Sequence, residues 1–160
     1  MDARRALILL PLMLTYALSA CAADDDEPRV SRTVVTLGAD GTSHVSEDLI
    51  TPADVALDPT CSGSSLVLYD RPNRTGNQLC FSGSAGGDLL GRYHRFVCTR
   101  TGVCYSLSWR GAVRSYAAGE RAGYLAPFLS NPQQMEHFAA HQQVDLAGPI
   151  AQNADIVQLE

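Results

Sequence analysis

The chain has 160 residues and a formal net charge of −5, and all twelve of its basic residues are arginine. That length suits one modest domain with a single core. The acidic balance argues against nucleic acid as a partner.

The first predicted element is an export signal. Arg4 and Arg5 precede the apolar stretch from Ala6 to Leu18, and Leu18-Ser19-Ala20-Cys21 matches the bacterial lipobox. The stretch is shorter than the ~20 residues that cross a bilayer. The pattern predicts a signal peptide over residues 1–20, lipidation of the Cys21 thiol, and a mature chain held on a membrane by acyl chains on that residue. A plain secretory signal cut after Ala20 would leave Cys21 as a thiol. The mature chain first shows aspartate at Asp24, an arrangement that points to the outer membrane or cell surface of the envelope rather than the inner membrane.

Residues 21–32 form an acidic spacer around Asp24-Asp25-Asp26-Glu27-Pro28. From Cys21 to Thr60 nine acidic residues face Arg29 and Arg32, whereas from Cys61 onward eight arginines face seven acids. Residues 33–60 read as a hairpin and a short helix. Thr33–Leu37 is β-prone, Ala39-Asp40-Gly41-Thr42 is a turn, and Ser43–Ile50 is the return strand. Thr51 and Pro52 are a helix-start signal, and Pro59 ends that helix. A lone hairpin is marginal in water, so this segment docks on the main domain or stands apart, and its own residues suit either.

Residues 61–160 hold the other four cysteines. An even number in an exported chain reads as two disulfides. Three pairings are possible. The tight loop Thr99–Val103 between Cys98 and Cys104 favours that bridge, leaving Cys61 with Cys80. Zinc is a poor fit, because no cysteines are two residues apart and no histidine stands at ligand spacing.

The same region carries an internal repeat. Tyr69-x-x-x-x-Arg74-x-Gly76 returns as Tyr116-x-x-x-x-Arg121-x-Gly123, an offset of 47 residues shared by Leu66 with Val113 and by Phe81 with Phe128. Each copy reads as strand, glycine turn, strand. Short strands between turn residues predict an all-β sandwich of Greek keys.

The segments Leu68–Gly76 and Trp109–Tyr116 resemble the signature and closing strand of βγ-crystallin domains. The resemblance implies two Greek-key motifs, about 64–115 and 116–160 with the second degenerate, packed as a small disulfide-bonded sandwich. Tyr69, Gly76, Trp109, Ser115, Tyr116 and Gly123 are its signature residues. Glycine is needed where the folded hairpin takes a positive φ. Arg74 and Arg121 replace the family's second aromatic, and either stack on Tyr69 and Tyr116 or face solvent. Many microbial members bind calcium through Asn/Asp pairs followed by Ser or Thr. Here Arg110 and Gly111 stand at the pair and Arg114 at the hydroxyl, while Gln152–Val157 lacks a hydroxyl. Calcium binding is therefore expected to be lost at both places, although Asp70 and Asp88 are candidates for an irregular weak site.

No catalytic motif appears, and the histidines His44, His94, His137 and His141 are scattered. His137 and His141, beside Glu136, are one helical turn apart and read as part of a surface helix over Pro132–Val144 rather than as metal ligands. Between Leu89 and Gly119 stand Arg92, Arg95, Arg100, Arg110 and Arg114 with no acid among them. Converging loops would make these a patch for an anionic envelope glycan or a carboxylate-rich protein. Tyr93, Tyr105 and Trp109 among them are either contact residues or core.

The expectation is a lipid-anchored, monomeric, non-catalytic binding or structural protein without a cofactor. The alternative is a peptidase inhibitor. Small exported bacterial inhibitors of metalloproteinases share this fold, and the Cys98–Cys104 loop with Arg100 at its tip is a candidate inhibitory loop.

Overall fold

The computed structural model describes residues 29–51, 61, 63–99, 101–128 and 134–160. The signal peptide, Cys21, most of the acidic spacer, the helix expected after Thr51, and Arg100 lie outside these residues. Twelve strands run β1 (Val30–Leu37), β2 (Ser43–Ile50), β3 (Leu66–Arg71), β4 (Thr75–Gly83), β5 (Gly86–Leu89), β6 (His94–Cys98), β7 (Cys104–Ser108), β8 (Ser115–Ala118), β9 (Gly123–Pro127), β10 (Glu136–Phe138), β11 (Gln143–Asp145) and β12 (Ala154–Leu159). A single α-helical turn, α1 (Pro149–Asn153), precedes the last strand.

The strands form two sheets. The eight-stranded sheet has the order β11-β8-β3-β4-β1-β6-β7, with β2 paired to β1, and the four-stranded sheet has the order β10-β9-β12-β5. Both sheets feed one core: Leu66, Leu68, Leu79, Phe81 and Tyr116 from the large sheet meet Leu125, Phe138, Val157 and Leu159 from the small one. Trp109, Leu90 and Val113 fill the space from connecting loops. Cys61 bridges to Cys80 and Cys98 to Cys104, with Cα–Cα distances of 5.7 and 3.9 Å.

The β1–β2 hairpin docks. β1 runs parallel to β4, with Val35 opposite Phe81 and Leu37 opposite Gly83. Val35 and Leu37 enter the core. A polar cluster fixes this register. The Asn77 side-chain oxygen accepts from the Ser31 backbone N–H (2.6 Å) and the Ser31 hydroxyl (3.0 Å), and Ser31 Oγ accepts from Phe96 N–H (3.0 Å).

A duplication is present in the strand order. In the first half β8, β3 and β4 are neighbours and β5 crosses to the small sheet; in the second β12, β9 and β10 are neighbours and β11 crosses to the large one. The two halves thus have matching orders, but not at the 47-residue offset. Tyr116 lies on β8, opposite Leu68 of β3, so that offset superposes the last strand of one half on its first. β8 and β9 belong to different sheets, and Tyr116–Gly123 is not a hairpin like Tyr69–Gly76. Phe81 is buried and Phe128 is 57% exposed. The closing strand is also shorter than expected, because Trp109–Arg114 is a turn and β8 begins at Ser115.

The expected helix over Pro132–Val144 is replaced by β10, a turn and β11 in its described part. His141 has φ 63° and donates its N–H to Gly119 O at 2.7 Å. Phe138 is buried in the core beside Tyr116, with ring centroids 5.5 Å apart. Burial of one aromatic on a short strand outweighs the helical spacing of two exposed histidines.

Gly76 has φ +83°, and an added Cβ would collide with Asp70 Oδ1. Gly76→Ala is expected to cost about 2–3 kcal/mol, combining left-handed strain with damage to a buried hydrogen bond, and urea denaturation measures it. Burial first, then the charge of and hydrogen bond to Glu136, push the Tyr116 phenol up to about 12. The native state therefore holds that proton where the unfolded chain releases it, and this contribution is lost as pH rises from 10 through 12. Tyr116→Phe should flatten the fall in melting temperature over that range and change little at pH 7.

Candidate functional site

Four of the five arginines of the arginine-rich loops, those among the described residues, each have partners within the chain. Arg92 Nη1 pairs with Asp88 Oδ1 at 3.0 Å, Arg95 Nη1 with Asp70 Oδ2 at 3.0 Å, and Arg110 Nε with Asp155 Oδ2 at 2.9 Å. These aspartates precede or follow the Leu89–Gly119 stretch, and folding carries them into it. Arg110 also lies over the Phe128 ring, 5.3 Å from its centroid. Arg114 has no carboxylate partner here. Its Nη1 donates to the carbonyls of Gly111 and Val113, each at 3.0 Å, and to that of Ala151.

The aromatics among these arginines divide. Trp109 is fully buried and Tyr93 is 3% exposed, whereas Tyr105 is 57% exposed. The Tyr93 hydroxyl donates to Asp88 Oδ2 at 2.6 Å. Burial first, and then this bond, raise its pKa well above the ordinary phenol value. Trp109 and Tyr93 are core, and only Tyr105 faces outward.

Asp70 and Asp88 are each engaged by their own donors. Asp70 Oδ1 accepts from the Asn77 backbone N–H at 2.8 Å, and Asp70 Oδ2 accepts from Asn77 Nδ2 at 2.7 Å as well as from Arg95. Asp88 is engaged by Leu89 N–H, Arg92 and Tyr93. Among the described residues no group of three His, Cys, Asp or Glu side chains could hold a metal ion. His137, on β10, lies against the Tyr124 ring at 5.7 Å, and His141 is in the turn beyond it.

The open site lies elsewhere. A cavity of about 340 Å³ sits where the β3–β4 turn meets the start of β1 and the end of β6, lined by Arg29, Arg71, Arg74, Asn77, Phe96 and Val97, together with Val30, Thr75, Gly76, Gln78 and Cys98. Val30 pairs with Val97 here. Part of its lining belongs to strands added beyond the matching halves, since β1 and the β6–β7 pair extend the large sheet past β4.

The turn that carries Arg74 is built under strain. Asn73 and Arg74 have φ of 56° and 57°, a conformation that costs a non-glycine residue about 1–3 kcal/mol. Four hydrogen bonds hold it. Asn73 N–H donates to Asp145 Oδ1 (2.7 Å), Arg74 N–H to Ser115 Oγ (3.0 Å), Ser115 Oγ to Arg71 O (2.7 Å) and Thr75 Oγ1 to Pro72 O (2.9 Å). Ser115, expected only as a fold residue, thus positions the turn beside the cavity. Arg74 is exposed, as one of its two expected placements had it. Electrostatically, Arg74 and Arg32 pull the Tyr69 pKa down while the larger effect, burial, raises it.

The amides on the cavity wall are already engaged. Asn77 Oδ1 accepts from Ser31 and Asn77 Nδ2 donates to Asp70, and Gln78 Oε1 accepts from Arg32 Nε at 3.1 Å. Among the described residues no acidic side chain lines the cavity. Among the described residues no carboxylate pairs with Arg71 or Arg74. The sequence reading passed over Arg29 and Arg71 and gave Arg74 only a fold role. One local signal for the site existed, the pair of arginines flanking the Pro72-Asn73 turn.

Replacing Arg114 by alanine removes a cationic donor from three backbone carbonyls. We expect a loss of about 2 kcal/mol, the range for hydrogen bonds to a charged group, read by chemical denaturation. The melting temperature of the unmodified chain should stay unmoved between millimolar calcium and chelator, because a ligand stabilises only what it binds. No protein-family model matches this chain, and neither a curated protein nor a solved structure matches it.

Proposed function

We propose that this chain is an exported, lipid-anchored, non-catalytic binding protein on a βγ-crystallin-like sandwich, working through the arginine-lined cavity rather than a calcium site. The observation that carries the reading is the contrast between two sets of arginines. Arg92, Arg95, Arg110 and Arg114 are held by aspartates or carbonyls, while Arg71 and Arg74 line a cavity with no acid among its described residues. Guanidinium groups left without a carboxylate beside apolar surface are binding material.

The crossing of β5 and β11 between the sheets supports a two-motif Greek-key reading, with the boundary between β8 and β9. The engagement of Arg114 by three carbonyls supports the loss of calcium, since a fixed guanidinium repels a second cation from the same oxygens. The membrane anchor rests on the Leu18–Cys21 motif.

A second reading, protease inhibition, draws on the loop between the bridged Cys98 and Cys104. Thr99 N–H donates to Val103 O at 2.8 Å, and Val103 is 51% exposed, so the loop is closed and displayed. A titration against metallo- and serine proteases separates the two. We expect no inhibition. Stoichiometric inhibition abolished by cutting residues 99–103 would replace the binding reading. Metabolic labelling with a radioactive fatty acid should mark the chain and fail with Cys21→Ser.

A further inference from the structure

We infer that the cavity between the β3–β4 turn and the ends of β1 and β6 takes a small amphipathic anion, an apolar body with one carboxylate, phosphate or sulfate head. The inference rests on the binding reading above and gives that site its ligand class.

The lining dictates the class. Val30, Phe96 and Val97 give the cavity an apolar wall, and the exposed Arg71 and Arg74 line it with no acidic side chain among its described residues. The acceptor oxygens of the wall amides are committed to Ser31 and Arg32, and Asn77 Nδ2 donates to Asp70. The charge left for a ligand is therefore cationic. A free inorganic anion would meet the arginines and leave the apolar wall wet. A neutral amphiphile would cover the wall and strip water from guanidinium groups without replacing it. An anionic head on an apolar body satisfies both, and guanidinium is the side chain suited to such heads.

Size and rigidity narrow it further. About 340 Å³ is at the small end of ligand cavities, which begin near ~300 Å³, so the body is a short chain or one or two rings. The left-handed Asn73–Arg74 turn is held by Ser115 and Asp145 before any ligand arrives. Little ordering is then left to the moment of binding. Such heads occur on free acids and on membrane lipids, and the cavity's size favours the free molecule.

The test uses the full chain with Cys21→Ser, produced in an oxidising compartment and titrated by NMR and calorimetry with four probes: decanoate, decanol, inorganic phosphate and phosphatidylglycerol vesicles. Decanoate should bind saturably, shifting the amides of Arg74, Phe96 and Val97. Decanol and phosphate should each bind about tenfold more weakly or worse, the factor expected for one lost charge-assisted contact. Arg71→Gln and Arg74→Gln should each weaken decanoate by about tenfold while leaving the melting temperature near its starting value, because both side chains are exposed. Equal binding of decanoate and decanol, or unchanged affinity in both variants, overturns the ligand class and leaves the binding reading standing. Vesicle binding without decanoate binding overturns the free-acid assignment in favour of a lipid headgroup. Failure of all four probes removes the cavity from the binding reading itself.

Discussion

The structure depends on one buried polar network centred on Asp70. From β3, its carboxylate receives the Asn77 backbone and side-chain N–H groups on β4 and the Arg95 guanidinium on β6. Asn77 in turn receives Ser31 on β1. Four strands that are distant in sequence therefore share one set of donors and acceptors. Ser31 is 2% exposed and Asn77 6%, so a missing partner would leave an unpaired polar group in low dielectric, which costs more than the pair contributes when complete. This asymmetry makes the network specify the fold. A one-residue slip of β1 along β4 would turn Val35 and Leu37 out of the core and part Ser31 from Asn77.

The same network shapes the cavity beside it. By occupying the acceptor oxygens of Asn77 and Gln78, the fold withdraws the neutral acceptors of these amides from a ligand's reach. What the lining then offers is chiefly N–H donors, guanidinium foremost, and hydrocarbon. The chemistry of the site is in this sense a consequence of how the β1 strand was attached to the sheet. The strained Asn73–Arg74 turn completes it, because Ser115 from β8 and Asp145 from β11 over-determine a backbone that Asn and Arg would not adopt alone.

Arginine serves two ends in this protein. Near an aspartate it is a strut. Asp155 is 1% exposed and anchors Arg110, which ties the Trp109–Arg114 turn to β12. The Arg92–Asp88 pair contributes less, because the Arg92 side chain is 66% exposed and solvent screens it. Arg114 needs no acid, since three carbonyls from two segments take its protons. Among the described residues no acid is folded against Arg71 or Arg74, and there the guanidinium stays available to something outside the chain.

The residues themselves determined what local chemistry can carry. Alternation with a glycine-bearing turn marks β1–β2 and β3–β4, and cysteine spacing singles out the pairing that the two disulfides adopt. Three-residue strands hold too little periodicity to be read, so β10 and β11 passed for a helix until Phe138 was seen in the core. The duplication was legible as a tendency but not in its register, because strand exchange between sheets leaves no mark on spacing. The arginine-rich stretch misled for a related reason. Charge along the chain says nothing of Asp70 and Asp155, which reach it only through the sheets. Sequence alone determined an all-β, disulfide-bonded class, since turn chemistry and thiol number are local properties. Tertiary structure decided which arginines are satisfied and where a cavity opens, since both follow from distances between residues that the chain keeps far apart.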